Sequence, residues 1–262
     1  MTSFGVITAL DPERPVSDII EFAQTAEHYG FDTLWIWDSW FTKDAYIGLT
    51  LAALNTKHLK LAPGVAATPV RHQAMLVNAI STLDDVSGGR AILGVGSGGQ
   101  ATVGRLGLKK AKMAEFRDQL KLLRTLTQGG EVNEGAAKYR VEGVDRAVPI
   151  YTAAWGPKML EASGELADGV IIMGPDDPTV LGQKKDKIHA AARAVGRSED
   201  DVKIVLGITC AYADDPQPLI EKYKSLAVHH MQRVGYEGEY PAKYRQLFDD
   251  VREAVRTIVY PE

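Results

Sequence analysis

Two hydrophobic patterns alternate along the chain. Short apolar runs rich in β-branched and aromatic residues predict strands, and the segments between them repeat their apolar positions with the helical period. Strands are predicted at 4–9, 33–38, 59–66, 90–96, 148–153, 169–173 and 202–210. Helices are predicted at about 15–30, 43–57, 71–87, 109–128, 157–167 and 178–196, with a last helical stretch from Pro216.

The spacing of the predicted strands indicates parallel pairing. Their starts lie 21 to 33 residues apart, except for one interval of 58, and such lengths are typical of a strand followed by a crossover helix. The long interval holds an insertion at 129–147, within which 138–142 is predicted to form a short extra strand or hairpin. No linker or low-complexity segment interrupts the pattern, so we expect one domain over residues 1–262.

Repeated strand–helix units allow either a doubly wound open sheet or a closed barrel. The open sheet usually has a glycine-rich turn after its first strand, but residues 9–15 contain no glycine. A glycine-rich turn does occur at 94–99, without the acidic residue that a dinucleotide site needs further on. We therefore expect an α/β fold of the TIM (β/α)8 type. Only seven strands are predicted, so the eighth strand–helix unit is lacking or does not show in the sequence. Either the natural chain continues past Glu262 or the barrel is incomplete.

Composition narrows the class of protein. Of the 262 residues, 45% are hydrophobic and 24% charged, and the net charge of −4 comes without a basic stripe, so a nucleic-acid partner is not expected. Cys210 is the only cysteine, which excludes an internal disulfide and fits the reducing cytoplasm. The amino terminus does not resemble a signal peptide, and no apolar run approaches the length of a membrane span.

Ligands of such folds bind at the carboxyl ends of the strands. Those ends carry no cluster of His, Asp or Glu at metal-ligand spacing, so no metal is expected. Ser97 lacks the first glycine of a nucleophile elbow, because Val95 stands there. What remains is glycine, small residues, tryptophan and backbone, which favours a bound cofactor that brings its own chemistry to a small-molecule substrate. Asp38 ends an apolar strand and could act as an acceptor or a general acid–base, or cap the next helix.

The segment from Ala154 to Lys158 is predicted to open a helix. Pro157 falls near its first position, so free N–H groups and the positive end of the helix dipole are available to an anion such as phosphate. Plain helix capping is the alternative interpretation of the same residues.

The segments 96–108, 148–160 and 167–170 resemble the bacterial luciferase-like superfamily, and in particular its deazaflavin branch, which includes the methylenetetrahydromethanopterin reductases. The resemblance implies a (β/α)8 barrel that binds FMN or the deazaflavin coenzyme F420 at the carboxyl ends of its strands. It also implies a homodimer, for which the helices near 43–57 and 71–87 are the expected interface.

The resemblance assigns a cofactor role to particular positions. Asp38 matches an acidic residue near the deazaflavin ring, and Gly64–Val65 matches a non-proline cis peptide that backs the ring. Further cofactor contacts are expected in the loop after the fourth predicted strand, and phosphate contacts after the fifth. These residues are Ser97, Gly98 and Thr102, then Ala153, Ala154, Trp155, Gly156 and Pro157, with Lys158 in the same helix start.

One departure from the family pattern limits the substrate. Many deazaflavin dehydrogenases have histidine directly after the aspartate and glutamate in the loop after the fourth strand, where this chain has Ser39 and Ser97 or Gly98. The acid–base pair of the sugar-phosphate dehydrogenases is therefore absent. The sequence predicts an oxidoreductase that transfers a hydride between F420 and a small organic substrate. An FMN-dependent monooxygenase and a non-catalytic flavin-binding protein remain the alternatives.

Overall fold

The computed structural model describes residues 2–99, 102–173 and 178–208, together with 214–215 and 217–218. Its strands are β1 Gly5–Thr8, β2 Thr33–Ile36, β3 Lys60–Pro63, β4 Ala66–Ala67, β5 Leu93–Gly96, β6 Val132–Glu134, β7 Ala137–Tyr139, β8 Ile150–Ala153, β9 Gly169–Met173 and β10 Lys203–Gly207. Its helices are α1 Asp18–His28, α2 Ala45–Asn55, α3 Gln73–Ser87, α4 Met113–Thr127, α5 Pro157–Leu166 and α6 Pro178–Ala194. Short 3-10 turns occur at Gly104–Leu106 and Glu199–Asp201.

Each predicted strand is present, with two differences in detail. The strand predicted at 59–66 is divided into β3 and β4, which flank the cis peptide between Gly64 and Val65. The extra strand predicted at 138–142 lies earlier, in the antiparallel hairpin of β6 and β7, because the positive φ of Gly135 sets the turn there. Cys210 and nearly all of the helical stretch predicted from Pro216 lie outside the described residues.

The longer strands pair in parallel and in chain order. One sheet has the order β1-β2-β3 and the other β4-β5-β8-β9-β10. A parallel bridge between Leu61 and Ala91 joins the end of the first sheet to the chain entering β5. Because the strands are parallel, their last residues lie at one edge, which we call the carboxyl edge. The loops that leave it carry the predicted site residues.

Side chains alternate between the two faces of the sheets, as the strand period requires. Leu34, Leu61, Leu93 and Val170 pack with the helices in the main core. The opposite face holds a smaller apolar cluster of Trp35, Ala62, Ile92 and Ile171, with Val65, Tyr151, Met173 and Val205 packed against it. No helix in the described residues combines the length and apolarity needed to cross a bilayer.

Two charged side chains fix the turns at the other edge. The carboxylate of Glu27 on α1 accepts hydrogen bonds from the amides of Lys57, His58 and Leu59, at 2.6–3.0 Å. The guanidinium of Arg90, just before β5, donates hydrogen bonds to four carbonyl oxygens. They belong to Ala53 in α2, to Thr56 and Leu59 after it, and to Ser87 in α3. Both side chains satisfy backbone groups that the helix ends and the turns leave unpaired.

Candidate functional site

Asp38 follows β2 by two residues and lies at the carboxyl edge. Its side chain is only 13% exposed, and Nη2 of Arg71 lies 3.7 Å from its Oδ1 atom. Burial raises the pKa of the Asp38 carboxyl, the positive charge of Arg71 opposes that rise, and the negative charge of Asp44 adds to it. The alternative in which Asp38 caps the next helix is wrong, because Asp44 is the N-cap of α2 and accepts from the amides of Tyr46 and Ile47.

Gly64 and Val65 are joined by a non-proline cis peptide, as the resemblance implies. They lie between β3 and β4, and the amide of Gly64 donates to the carbonyl oxygen of Ile36 at 2.7 Å. The Val65 side chain lies over β5, since a Cβ added to Gly96 would be 3.1 Å from its Cγ2 atom. Gly94 is packed more closely still, because a Cβ there would lie 2.1 Å from the carbonyl oxygen of Pro63. The glycines of β5 therefore allow the neighbouring strand to approach.

The loop after β5 folds on itself. The Ser97 side chain is buried, and Gly98 adopts φ +85° beside Val103. The Thr102 hydroxyl accepts from the amide of Gly99 at 3.0 Å, so it stabilises the turn from within. Of the three residues predicted to contact a cofactor here, Gly98 and Thr102 thus have evident roles in shaping the loop.

The segment after β8 begins helix α5 with no side-chain cap. Gly156 is the N-cap and Pro157 the first helical residue, as predicted, and the carbonyl of Gly156 accepts from the amides of Met159 and Leu160. The amide of Ala154 donates to Ile171 in β9. No described residue accepts from the amides of Gly156 and Lys158, and a Cβ on Gly156 would meet nothing within 4 Å. This helix start is open, has amide donors, and carries the positive end of the helix dipole.

The predicted residues therefore divide into three loops and the strand break, all at the carboxyl edge. Ala153 and Ala154 are buried, Trp155 is half-buried, and Gly156, Pro157 and Lys158 are exposed. Two tryptophans, Trp37 and Trp40, are also exposed beside Asp38. Residues 174–177, which follow β9 in the sequence, lie outside the described residues.

Sequence reasoning missed the groups that surround Asp38. Arg71 donates to Asp44 at 2.7 Å, and its guanidinium lies 4.9 Å from the centre of the Tyr46 ring. The position of Asp44 before an apolar helical segment is a recognisable N-cap signal. Nothing in the sequence pairs Arg71 with Asp38, because the two are 33 residues apart and follow different strands.

Parallel strands that alternate with helices, with glycine-lined loops at their carboxyl edge, define an α/β protein of the class that binds ligands at that edge. The sequence profile of the luciferase-like monooxygenase family matches residues 1–257, and the chain belongs to this family.

Within the family, the chain is similar to F420-dependent proteins. It is 37% identical over 201 residues to 5,10-methylenetetrahydromethanopterin reductase of Methanolobus tindarius, a match that covers 74% of this chain and 61% of the reductase. It is 28% identical to F420-dependent glucose-6-phosphate dehydrogenase of Amycolatopsis mediterranei, over 78% of this chain and 68% of that enzyme. The structure of the coenzyme F420 dependent tetrahydromethanopterin reductase from Methanopyrus kandleri superposes with a TM-score of 0.80 at 26% identity, covering 98% of this chain and 79% of that one. The match to the Methanolobus tindarius reductase thus spans about three fifths of that protein's length.

Proposed function

We propose that the protein is an F420-dependent oxidoreductase that transfers a hydride between the deazaflavin ring and a small organic substrate. The observation that carries the proposal is the start of α5, where no described residue accepts from the amides of Gly156 and Lys158, in a chain that is similar to F420-dependent reductases. Such a helix start binds a phosphate group without needing a charged side chain.

The residues at the carboxyl edge fit the cofactor in shape and charge. Gly156 leaves room for a phosphate to approach the main chain, and Lys158 adds a positive charge to the same helix start. Val65, at the cis peptide, has a small apolar side chain, which suits contact with the face of a planar ring. When bound, F420 supplies the hydride chemistry, and the chain supplies position and electrostatics.

Asp38 is the one ionisable group among the residues predicted to lie near the ring. Because its carboxyl is mostly buried, it can exchange a proton or a hydrogen bond with a bound ligand while being shielded from bulk water. We propose it as the acid–base or hydrogen-bonding residue of the site.

A fluorescence titration of the purified chain with F420 and, separately, with FMN tests the cofactor. Tight binding of F420 and weak binding of FMN are expected. Tight binding of FMN with no binding of F420 would refute the proposal and favour the FMN-dependent monooxygenase. If F420 binds, but no hydride passes to any carbonyl, imine or alkene substrate, the protein is a non-catalytic flavin-binding protein.

The substrate is not proposed to be a sugar phosphate, despite the similarity to glucose-6-phosphate dehydrogenase. Ser39 stands where the resemblance leads us to expect histidine, and Ser97 or Gly98 where it leads us to expect glutamate. Neither a serine hydroxyl nor a glycine is an acid or base near neutral pH. The expected contrast is hydride transfer with an imine or carbonyl substrate and none with glucose 6-phosphate.

For the architecture, we propose a single-domain TIM (β/α)8-type barrel whose eighth unit is lacking or not showing. The support is the chain order of the parallel strands and the apolar cluster of Trp35 and Ile171 on the face away from the helices. We also propose a cytoplasmic location, from the single cysteine.

A homodimer through α2 and α3 is proposed on the apolar character of both faces of α2. Ala45, Leu49 and Ala52 are buried in the core, yet Ile47 and Leu54 on the same helix are 59% and 67% exposed. A helix that is apolar all round is normally covered on all sides, and a second copy of the chain would cover it. Light scattering of the wild-type chain and of Leu54→Glu tests this: a dimer that becomes a monomer is expected, and a wild-type monomer refutes it.

A further inference from the structure

Four side chains form a charged cluster at the carboxyl edge, which we call the Arg71 cluster: Asp38, Asp44, Tyr46 and Arg71. They come from three different segments: the loop after β2, the start of α2, and the loop before α3. Asp38 and Tyr46 are largely or fully buried, while Asp44 and Arg71 are about one third exposed.

The guanidinium of Arg71 is held in place by two partners on α2. It donates a hydrogen bond of 2.7 Å to Oδ2 of Asp44, and it lies over the Tyr46 ring at 4.9 Å from the ring centre. Asp44 is itself fixed, because its other carboxylate oxygen caps α2. An arginine held by a carboxylate and an aromatic ring has lost most of its freedom before anything binds.

Asp38 has no such set of partners. Among the described residues no hydrogen bond reaches its carboxylate, and Arg71 is the cation within 4 Å of it. The Asp44 carboxylate and the Tyr46 phenol also interact electrostatically with it, and no described residue forms a hydrogen bond with the buried Tyr46 hydroxyl. Burial raises the pKa of Asp38, Arg71 opposes the rise, and Asp44 supports it, so the ionised form depends on the arginine.

We propose that Arg71 is a positioning residue for Asp38: anchored by Asp44 and by the Tyr46 ring, its guanidinium is the counter-charge that sets the orientation and protonation of the Asp38 carboxyl in the cofactor site. The inference rests on the proposed function only for the statement that the site binds a cofactor. The arrangement of Asp38, Asp44 and Arg71 is present in the cofactor-free chain, so it can be tested without the cofactor.

The test is an NMR titration of the cofactor-free, full-length chain with 13C-labelled aspartate carboxyls, in which Asp38→Asn identifies the Asp38 signal. Arg71→Met is expected to move the Asp38 midpoint to higher pH, because an opposing positive charge is lost. Asp44→Asn is expected to move it to lower pH, because a negative charge is lost and Arg71 gains freedom to approach Asp38. Asparagine still caps α2, so the helix start is retained.

The two opposite displacements distinguish the proposal from a merely structural role. Loosening of the local packing would move the midpoint in the same direction in both variants, and that result, or no displacement in Arg71→Met, overturns the proposal. Tyr46→Phe keeps the ring under the arginine and is expected to leave the midpoint nearly unchanged. Arg193→Met is the control for a general loss of charge, because it removes an exposed arginine of α6 that pairs with Glu199.

If Arg71→Met does not fold, Arg71→Lys and Asp44→Asn carry the test. Lysine keeps the charge but not the planar, stacked group, so a smaller upward displacement is expected. An upward or absent displacement in Asp44→Asn then refutes the proposal.

The second measurement is the pH dependence of F420 binding in the wild type and in Arg71→Met. The profile is expected to move to higher pH together with the Asp38 midpoint, and each pH unit changes the ionised fraction about tenfold on the acid side. A binding profile that stays fixed while the Asp38 signal moves separates Arg71 from the cofactor site and refutes the proposal. If no variant binds F420, the proposed function fails, whereas the NMR result still decides the role of Arg71 toward Asp38.

Discussion

Gly156→Ala separates binding from folding at the start of α5. The residue has φ −84° and ψ 160°, which alanine adopts without strain, and the added Cβ would meet no atom within 4 Å. Nothing in the described part of the chain therefore gives a steric reason for glycine at this position. If glycine is needed, the reason is a ligand that approaches the main chain.

The effect on stability is expected to be small, because two terms oppose each other. Alanine is a poorer N-cap than glycine by about 0.5–1 kcal/mol, whereas the loss of glycine's freedom in the unfolded chain stabilises the fold by about 0.4–1 kcal/mol. The effect on binding is expected to be larger. A methyl group that displaces a phosphate from the free amides costs one charge-assisted hydrogen bond, about 1.5–3 kcal/mol, which weakens F420 binding about ten- to a hundredfold.

Fluorescence titration with F420 measures the dissociation constant, and thermal unfolding measures stability. Gly182→Ala is the matched control, since it adds the same methyl group at a helical glycine of α6 where a Cβ also meets nothing. It should stabilise the chain by about 0.5–1 kcal/mol and leave binding unchanged. An unaltered dissociation constant in Gly156→Ala, with the fold intact, would remove the start of α5 from the cofactor site.

The remaining predictions concern Asp38, Glu27 and Arg90. Asp38→Asn should weaken F420 binding or turnover about tenfold or more. It should also raise Tm by about 2–4 °C at neutral pH, because burial raises the pKa of the carboxyl and its ionised form opposes folding. This gain should vanish below pH 3.8, the ordinary pKa of an aspartate carboxyl, and a fall in Tm at neutral pH would contradict the prediction. Burial raises the pKa of Glu27, but the hydrogen bonds from the amides of His58, Leu59 and Lys57 outweigh burial and lower the pKa overall. Glu27→Gln should therefore lower the free energy of unfolding, measured in urea, by about 1–2 kcal/mol at pH 7 and by progressively less below pH 4.5. A cost in Glu27→Gln that grows as the pH falls would contradict that sign. Arg90→Met should lower the free energy of unfolding by about 2–4 kcal/mol, because the carbonyl groups of Ala53 and Leu59 lose their donor, whereas Arg140→Met on the exposed hairpin should change it by less than about 0.5 kcal/mol.

The strands and helices were predictable because each obeys a local rule. The stripe of Ile19, Ala23 and Ala26 is buried as the helical period requires, and Gly30 ends the turn after α1 with φ +77°. The hairpin of β6 and β7 was misplaced because each of its strands has only three residues, too few for a period to register. Its position depends on the turn at Gly135. The sequence does not distinguish this glycine from the many others, so it does not predict the turn.

The start of α5 was predictable for the same local reason. Pro157 next to Gly156 marks a helix that begins without a side-chain cap, and both the cap and the proline lie where the sequence places them. The cis peptide at Gly64–Val65 came from the resemblance alone, since no composition or period indicates it.

The Arg71 cluster was not predictable, because each of its members already has a sufficient local explanation. Asp44 caps a helix, Tyr46 is a core aromatic residue of α2, and Arg71 precedes α3 as a solvated basic residue does at many helix starts. Only the fold brings the loops after β2 and β4 to the same edge, so that a charge following one strand faces a carboxyl following another. A residue that satisfies a local rule is therefore not excluded from a site. Where strand–helix units repeat, the residues of a site are those that the strand order places together. In this chain, that criterion identifies the buried Asp38 carboxylate, which has an arginine beside it and no hydrogen bond from the described residues.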